Sequence, residues 1–263
     1  MIRRVSRQVN VGNIKIGGNA PIAIQSMLNV LSNDYEGNLA PVKELEEAGC
    51  EIVRMAVPDM EAVKVLGKLK ENTDIPLVAD IHFDYRLALE SLNAGVDKIR
   101  INPGNIGSAE RVSAVADACN LKNVPIRIGV NSGSVEKDLL EKFGGATPEA
   151  MVESAFRHVK LLEDCGFYNT VISIKSSDVE NMVKAYSLVA ERCDYPLHLG
   201  VTEAGTERSS LIKSSIGIGS LLLNGIGDTI RVSITDTPVK EIYAARDILK
   251  AVNIRVETPQ IVS

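Results

Sequence analysis

Asp97-Lys-Ile-Arg-Ile-Asn102 is followed, after a short Pro-Gly-Asn-Ile-Gly connection, by Ser108-Ala-Glu-Arg-Val-Ser-Ala-Val-Ala-Asp-Ala-Cys119. The first stretch is short and rich in isoleucine, as in a buried β-strand. The second has apolar residues at the three-four spacing of a helix, and Ser108 is a residue type that caps helix starts. This part of the chain therefore predicts one strand followed by one helix.

The same unit recurs along the chain, and Thr147-Pro148 gives one of its clearest helix starts, a cap followed by a first-turn proline. Eight such units in 263 residues predict a single α/β domain over residues 1–263, a (β/α)8 TIM barrel. A doubly wound sheet is the competitor, but no Gly-x-Gly-x-x-Gly follows the first strand. Residues 8–16 predict a short N-terminal β-hairpin. The predicted strands are 22–27, 51–57, 76–81, 97–102, 125–130, 170–175, 196–202 and 228–234.

The composition is that of a globular protein, with 45% hydrophobic and 24% charged residues. The net charge of −5 provides no general basic field, so no nucleic-acid partner is expected. The sequence has no apolar run long enough to cross a membrane, and no signal-peptide core follows the first residues. A cytoplasmic protein with no membrane contact is the expectation.

The cysteines, Cys50, Cys119, Cys165 and Cys193, are far apart in sequence and form no Cys-x-x-Cys. This spacing is not typical of a disulfide framework or of a metal site. They are therefore expected to be small apolar residues, and no metal is expected in this chain.

Four arginines lie inside apolar stretches that otherwise predict buried strands. Such a position is unusual, because an unpaired guanidinium in an interior costs several kcal/mol. The sequence must therefore provide an anion, either its own carboxylates or a ligand such as a diphosphate, which suits the bidentate fork of arginine. The four are Arg54, Arg100, Arg127 and Arg231.

Polar residues follow all eight strands at their C-terminal ends, where barrels of this type carry their chemistry. Ion pairing could account for any single arginine. It accounts poorly for all four plus Lys175, because only Asp80 and Glu203 are evident acidic partners on strands. Lys175 could form a Schiff base, but the surrounding cations favour a phosphate contact. His82, taken alone, is more typical of a structural histidine.

Several long motifs, in the same order, closely resemble the bacterial 4-hydroxy-3-methylbut-2-enyl diphosphate synthases of the non-mevalonate isoprenoid route. The resemblance extends from about Arg3 to the last residue. The motifs are Asp80-Ile-His-Phe-Asp-Tyr-Arg86, Lys98-Ile-Arg-Ile-Asn-Pro-Gly-Asn-Ile-Gly107, Pro125-Ile-Arg-Ile-Gly-Val-Asn131, His198-Leu-Gly-Val-Thr-Glu-Ala-Gly205 and Gly225-Ile-Gly-Asp-Thr-Ile-Arg-Val-Ser233.

The resemblance implies an iron–sulfur oxidoreductase that reductively opens and dehydrates 2-C-methyl-D-erythritol 2,4-cyclodiphosphate. A [4Fe-4S] cluster, fed by flavodoxin or ferredoxin, would supply two electrons. The family holds this cluster in a C-terminal domain, and the partner's cluster domain closes each barrel of a homodimer. By motif, Glu203 would be catalytic. The implied substrate-binding residues are Arg54, Asp80, His82, Arg100, Asn102, Arg127, Asn131, Lys175, Thr202, Arg231 and Ser233.

Two departures from the family matter. Residues 28–34 replace its usual Thr-Asn-Thr type run, and the sequence ends at Ser263, where the family continues to its first cluster cysteine. The chain is therefore expected to be the barrel half, inactive by itself and without the cluster. Two alternatives stay open: a pterin-binding methyl-transfer barrel of the dihydropteroate synthase type, and a non-catalytic phosphate-ligand sensor.

Overall fold

The protein was analysed as a computed structural model, which describes residues 2–255. An antiparallel hairpin precedes a sheet of eight parallel strands, as the sequence predicted. The predicted end of the domain at Ser263 lies outside the described residues. The hairpin strands are β1 (Val9–Val11) and β2 (Ile14–Ile16), and the sheet strands are β3 (Ala23–Met27), β4 (Ile52–Ala56), β5 (Leu77–Asp80), β6 (Lys98–Ile101), β7 (Ile126–Asn131), β8 (Thr170–Lys175), β9 (His198–Leu199) and β10 (Thr229–Ile230).

The sheet closes into a barrel. Its strand order is β8-β7-β6-β5-β4-β3-β10-β9. A parallel bridge between Ile172 and Leu197 joins the two ends, and the Ile172 amide donates to the Pro196 carbonyl at 2.9 Å. All eight strands are therefore parallel neighbours around one ring, with their C-terminal ends at a single mouth.

Helices follow the strands around the outside of the barrel, with two short extra helices in the loops after β6 and β7. Several starts are capped by aspartates; the Asp59 carboxylate, for example, accepts from the Ala62 amide at 2.9 Å. The helices are α1 (Tyr35–Glu47), α2 (Met60–Glu71), α3 (Tyr85–Asn93), α4 (Pro103–Ile106), α5 (Ala109–Lys122), α6 (Lys137–Phe143), α7 (Pro148–Glu163), α8 (Val179–Arg192), α9 (Glu207–Leu223) and α10 (Pro238–Ala251).

The apolar core has two parts. The larger part lies between the strands and the surrounding helices. The smaller part closes the floor of the barrel, where Val11 and Ile16 of the hairpin pack with Ile52, Val78 and Val171. Since the floor is sealed by apolar side chains, the polar interior of the barrel opens only towards the mouth.

The last two strands are shorter than the predicted 196–202 and 228–234. Local contacts divert their amides from the strand ladder. The Ile234 amide donates to a carboxylate oxygen of Glu241 at 3.3 Å, and the Thr235 amide donates to the Gly205 carbonyl at 3.2 Å. The chain therefore leaves the sheet early and bends over the mouth at these two positions. Within the described residues, no helix has both the length and the apolarity needed to cross a membrane.

Candidate functional site

A cavity of about 260 Å³ opens at the mouth of the barrel. The strand register creates it, because Asp80 lies opposite Arg100, and Arg100 lies opposite Arg127, on three neighbouring strands. The lining residues are Met27, Arg54, Asp80, His82, Arg100, Arg127, Gly129, Val130, Asn131, Ser173, Lys175, Val201, Thr202, Arg231 and Ser233. All but two of the side chains predicted from the sequence are among them; the exceptions are Asn102 and Glu203.

Asn102 lies outside this lining because its side chain caps a helix. The Asn102 Oδ1 atom accepts from the Gly104 amide at 3.1 Å and starts α4, and the residue is buried. An N-cap side chain is held by the first turn of its helix and is turned away from the barrel axis. The structure thus gives Asn102 a local structural contact, and its predicted substrate contact stays a prediction.

Glu203 lies on the exposed rim beside Thr202 and adopts a left-handed backbone with φ of 50°. Within residues 2–255 it makes no ion pair or hydrogen bond. The expectation that Glu203 offsets the repulsion among the arginines is therefore wrong in this structure. Its position still leaves it free to face a molecule that enters the mouth, and its catalytic role stays a prediction.

Glu241, on α10, is the carboxylate that sequence reasoning missed. Its two oxygens accept from Arg231 Nη2 at 2.8 Å and Nε at 3.1 Å, a bidentate pair. One oxygen also accepts from Ser26 Oγ at 2.7 Å. Because Glu241 is buried and fully engaged, it fixes the Arg231 guanidinium at the wall of the cavity.

Asp80 is the second buried carboxylate, at the end of β5. Its oxygens lie 3.0 Å from Arg100 Nη1 and 3.5 Å from Arg54 Nε, with the imidazole of His82 3.6 Å away. Burial by itself would raise the pKa of Asp80, but Arg54, His82 and Arg100 together hold that pKa well below its usual range. Asp80 is therefore ionised and shared between two arginines.

Asp80→Asn should destabilise the chain by about 3–5 kcal/mol at neutral pH, because it leaves two buried guanidinium groups without their carboxylate. The folded pKa of Asp80 is depressed, so its contribution is complete above the unfolded pKa of about 3.9 and is lost as pH falls below it. Urea unfolding between pH 3 and pH 7 measures this. The two proteins should differ most near pH 7 and converge in acid; Asp138→Asn, at an exposed pair with Arg157, is the control. A constant difference across this range would contradict the assignment.

Arg127 has no carboxylate of its own. It is 1% exposed, its Nη1 donates to Ser173 Oγ at 3.0 Å, and its Nε and Nη2 have no partner. Burial, followed by the charges of Arg54 and Arg100, lowers the pKa of Arg127. A guanidinium nevertheless stays charged at neutral pH. An interior cation with two idle donors indicates a site made for an anion.

Lys175 completes the cationic wall at the end of β8. Burial, and then the charges of Arg54, Arg231, Arg127 and Arg100, lower the pKa of Lys175 well below its ordinary value. Its Nζ atom approaches Gly200 on β9, where a Cβ would lie only 3.1 Å from it. Lys175 therefore depends on a glycine for its room in the cavity.

Some lining residues were not predicted. Gly129 is needed because a Cβ there would lie 2.3 Å from Arg100 Nε; its carbonyl also accepts from Arg100 Nη2 at 3.0 Å. Ser173 lies two residues before Lys175, so the two-residue strand period could have found it. Met27 places its sulfur 2.7 Å from Arg54 Nη2, a contact that no local pattern predicts.

The four thiols are free and lie apart. Cys50 and Cys119 are buried, and burial raises the pKa of each to about 12, which disfavours the thiolate that iron requires. Among the described residues, no three His, Cys, Asp or Glu side chains are grouped to hold a metal ion. Residues 2–255 therefore do not fit an iron–sulfur cluster.

Solved structures with low identity share this fold. The dihydropteroate synthase of Yersinia pestis has a TM-score of 0.64 at 16% identity over 94% of this chain and 98% of its own. The N-acetylneuraminic acid synthetase of Leptospira borgpetersenii has a TM-score of 0.64 at 17% identity, covering 97% and 93%. At this identity the likeness shows the barrel fold alone, so it does not favour the pterin alternative.

Sequence relatives are much more similar. A relative from Caldanaerobacter subterraneus subsp. tengcongensis is 54% identical over 262 residues, covering 100% of this chain and 74% of its own. One from Clostridium perfringens is 57% identical over 250 residues, covering 95% and 72%. Both carry the name 4-hydroxy-3-methylbut-2-en-1-yl diphosphate synthase (flavodoxin). Residues 6–246 match the GcpE TIM-barrel domain. The chain therefore belongs to the 4-hydroxy-3-methylbut-2-en-1-yl diphosphate synthase family of the non-mevalonate isoprenoid route, and it contains that family's barrel domain.

Proposed function

We propose that this barrel binds 2-C-methyl-D-erythritol 2,4-cyclodiphosphate, which the whole enzyme converts reductively to 4-hydroxy-3-methylbut-2-enyl diphosphate. The observation that carries the proposal is Arg127, a buried guanidinium with idle donors above an apolar barrel floor. An interior charge of this kind costs stability unless an anion meets it. The diphosphate supplies that anion.

The charges of the cavity support this ligand. Four arginines face two buried carboxylates, Asp80 and Glu241. This leaves an excess of two positive charges before Lys175 is counted. A cyclic diphosphate carries one negative charge on each phosphate, so its charge matches the excess. Planar guanidinium groups also suit the oxygens of two adjacent phosphates.

The residues divide by position. The arginines, with Lys175 and Ser233, hold the diphosphate, and Asn131 orients it from the end of β7. Asp80 and His82, with Thr202 across the mouth, face the hydroxyl-bearing carbons of the substrate. Glu203, on the rim, gives a proton to the oxygen that leaves or takes one from a substrate hydroxyl.

The reaction consumes two electrons. In this proposal a [4Fe-4S] cluster supplies them, with flavodoxin, after which the relatives are named, or ferredoxin as its donor. Because residues 2–255 do not fit a cluster, its ligands are assigned to residues outside that range. The chain is accordingly expected to bind substrate without turning it over, and the whole enzyme is expected to act as a homodimer.

Calorimetric titration of the chain tests the proposal. The cyclic diphosphate and inorganic diphosphate should both bind, because several charge-assisted contacts of about 1.5–3 kcal/mol each exceed the cost of ordering the ligand. A pterin should not bind. Affinity for the diphosphates should fall as salt rises, since added ions screen the partly open mouth. The absence of heat at millimolar diphosphate would rule out the anion site, and pterin binding would favour the alternative function.

A further inference from the structure

Lys175 has surroundings that differ from those of a simple phosphate contact. Its side chain lines the cavity, and within residues 2–255 it makes no hydrogen bond or ion pair. The carboxylates that could pair with it are already engaged, Asp80 with two arginines and Glu241 with Arg231. A lysine that is desolvated beside other cations favours its neutral, nucleophilic amine.

The charged groups that act on Lys175 come from every side of the barrel. They are Arg54 on β4, Arg100 on β6, Arg127 on β7 and Arg231, which follows β10. All four disfavour the ammonium form, and burial acts in the same direction. The groups that make the amine neutral are thus the same groups that attract a phosphate.

We propose that Lys175 is a nucleophilic amine that forms an imine with small aldehyde phosphates whose phosphate is held by the cavity arginines. The inference rests on the proposed anion site and adds a second chemistry to it. A cavity of about 260 Å³ suits a molecule of two or three carbons with one phosphate.

The step balances without any further reactant. The Lys175 Nζ lone pair attacks the aldehyde carbon, and the carbonyl oxygen takes the electron pair and then a proton, which gives a carbinolamine. Loss of the nitrogen proton and the hydroxyl group as water leaves the carbon–nitrogen double bond. Neither carbon nor nitrogen is oxidised or reduced until an added hydride reagent traps the imine.

The test treats the 263-residue chain with glycolaldehyde phosphate and sodium cyanoborohydride at neutral pH, followed by peptide mass spectrometry. Lys175 should be modified at least about ten-fold faster than an exposed lysine, since each unit by which a pKa is lowered raises the free-amine fraction about ten-fold. Lys184, which is exposed and paired with Glu180 at 2.6 Å, is the internal reference. Lys175→Arg keeps a cation but removes the amine, and Lys184→Arg is its matched control.

Selective modification of Lys175 that inorganic diphosphate blocks, and that phosphate-free glycolaldehyde does not reproduce, supports the inference. Modification spread evenly over the lysines overturns it, as does equal reaction with phosphate-free glycolaldehyde. If calorimetry shows diphosphate binding while Lys175 is not preferred, the inference fails and the proposed function stands. The protection experiment needs no variant, so the test survives if Lys175→Arg fails to fold.

Discussion

Arg127→Met is expected to make the empty barrel more stable and to abolish its tight binding of diphosphate. Arg127 is buried, its Nε and Nη2 have no partner, and its one hydrogen bond goes to Ser173. Methionine has a similar length and fills the same space without a charge. Replacing an uncompensated interior charge by an apolar side chain should raise the free energy of unfolding by about 1–4 kcal/mol.

The same substitution removes the only lining cation that is completely buried without a carboxylate among the described residues. Loss of two charge-assisted contacts of about 1.5–3 kcal/mol each should weaken diphosphate binding by roughly a hundred-fold or more. Urea unfolding and calorimetric titration measure the two effects separately. Arg157→Met, at an exposed pair with Asp138, should change neither quantity much. A variant that is less stable and binds normally would show that Arg127 is a structural cation.

Glu203→Gln is expected to reduce turnover of the whole, cluster-containing enzyme by roughly a hundred-fold or more, with a smaller change in substrate affinity. The expectation follows from general acid–base catalysis, which contributes about 10²–10⁴-fold when a positioned carboxyl group transfers a proton. Glu203 is exposed at the mouth and has a φ of 50°. A left-handed backbone at a residue other than glycine is uncommon and often marks a functional position.

Glutamine keeps the length of the side chain and adopts the same backbone, so the substitution removes only the acidic group. The ratio kcat/KM and the value of kcat should fall together if the group acts in the transition state. Glu207→Gln, at the exposed pair with Lys240, is the matched control and should retain turnover. Normal turnover by Glu203→Gln would assign Glu203 to the rim as a structural residue.

The sequence was sufficient to predict the barrel. Strand and helix periodicities are local, and each arises from the geometry of a few consecutive residues. Eight repeats therefore predicted the strands and the hairpin of residues 8–16, and the parallel order followed from the repeat. The shortness of β9 and β10 was missed, because side-chain and loop contacts from elsewhere divert their amides.

The cationic wall was also visible in the sequence. A charged residue in an apolar strand is a local anomaly, and the two-residue period places Arg100 on the face opposite to Ile99 and Ile101. The strand register then brings Arg100 beside Arg127. Sequence alone therefore predicted which cations the cavity contains, although it did not predict which of them are paired.

Pairing was decided by the tertiary structure. Arg231 meets Glu241 because α10 folds back against the barrel, and nothing in the spacing of ten residues indicates that contact. The same packing leaves Glu203 exposed on the rim and commits Asn102 to the start of α4. Local periodicity fixes the face on which a side chain lies, whereas the partner it meets depends on distances between elements that are separate in sequence. That is why the sequence by itself determined the barrel and its ring of cations, and only the folded chain determined which cation was left to meet an anion.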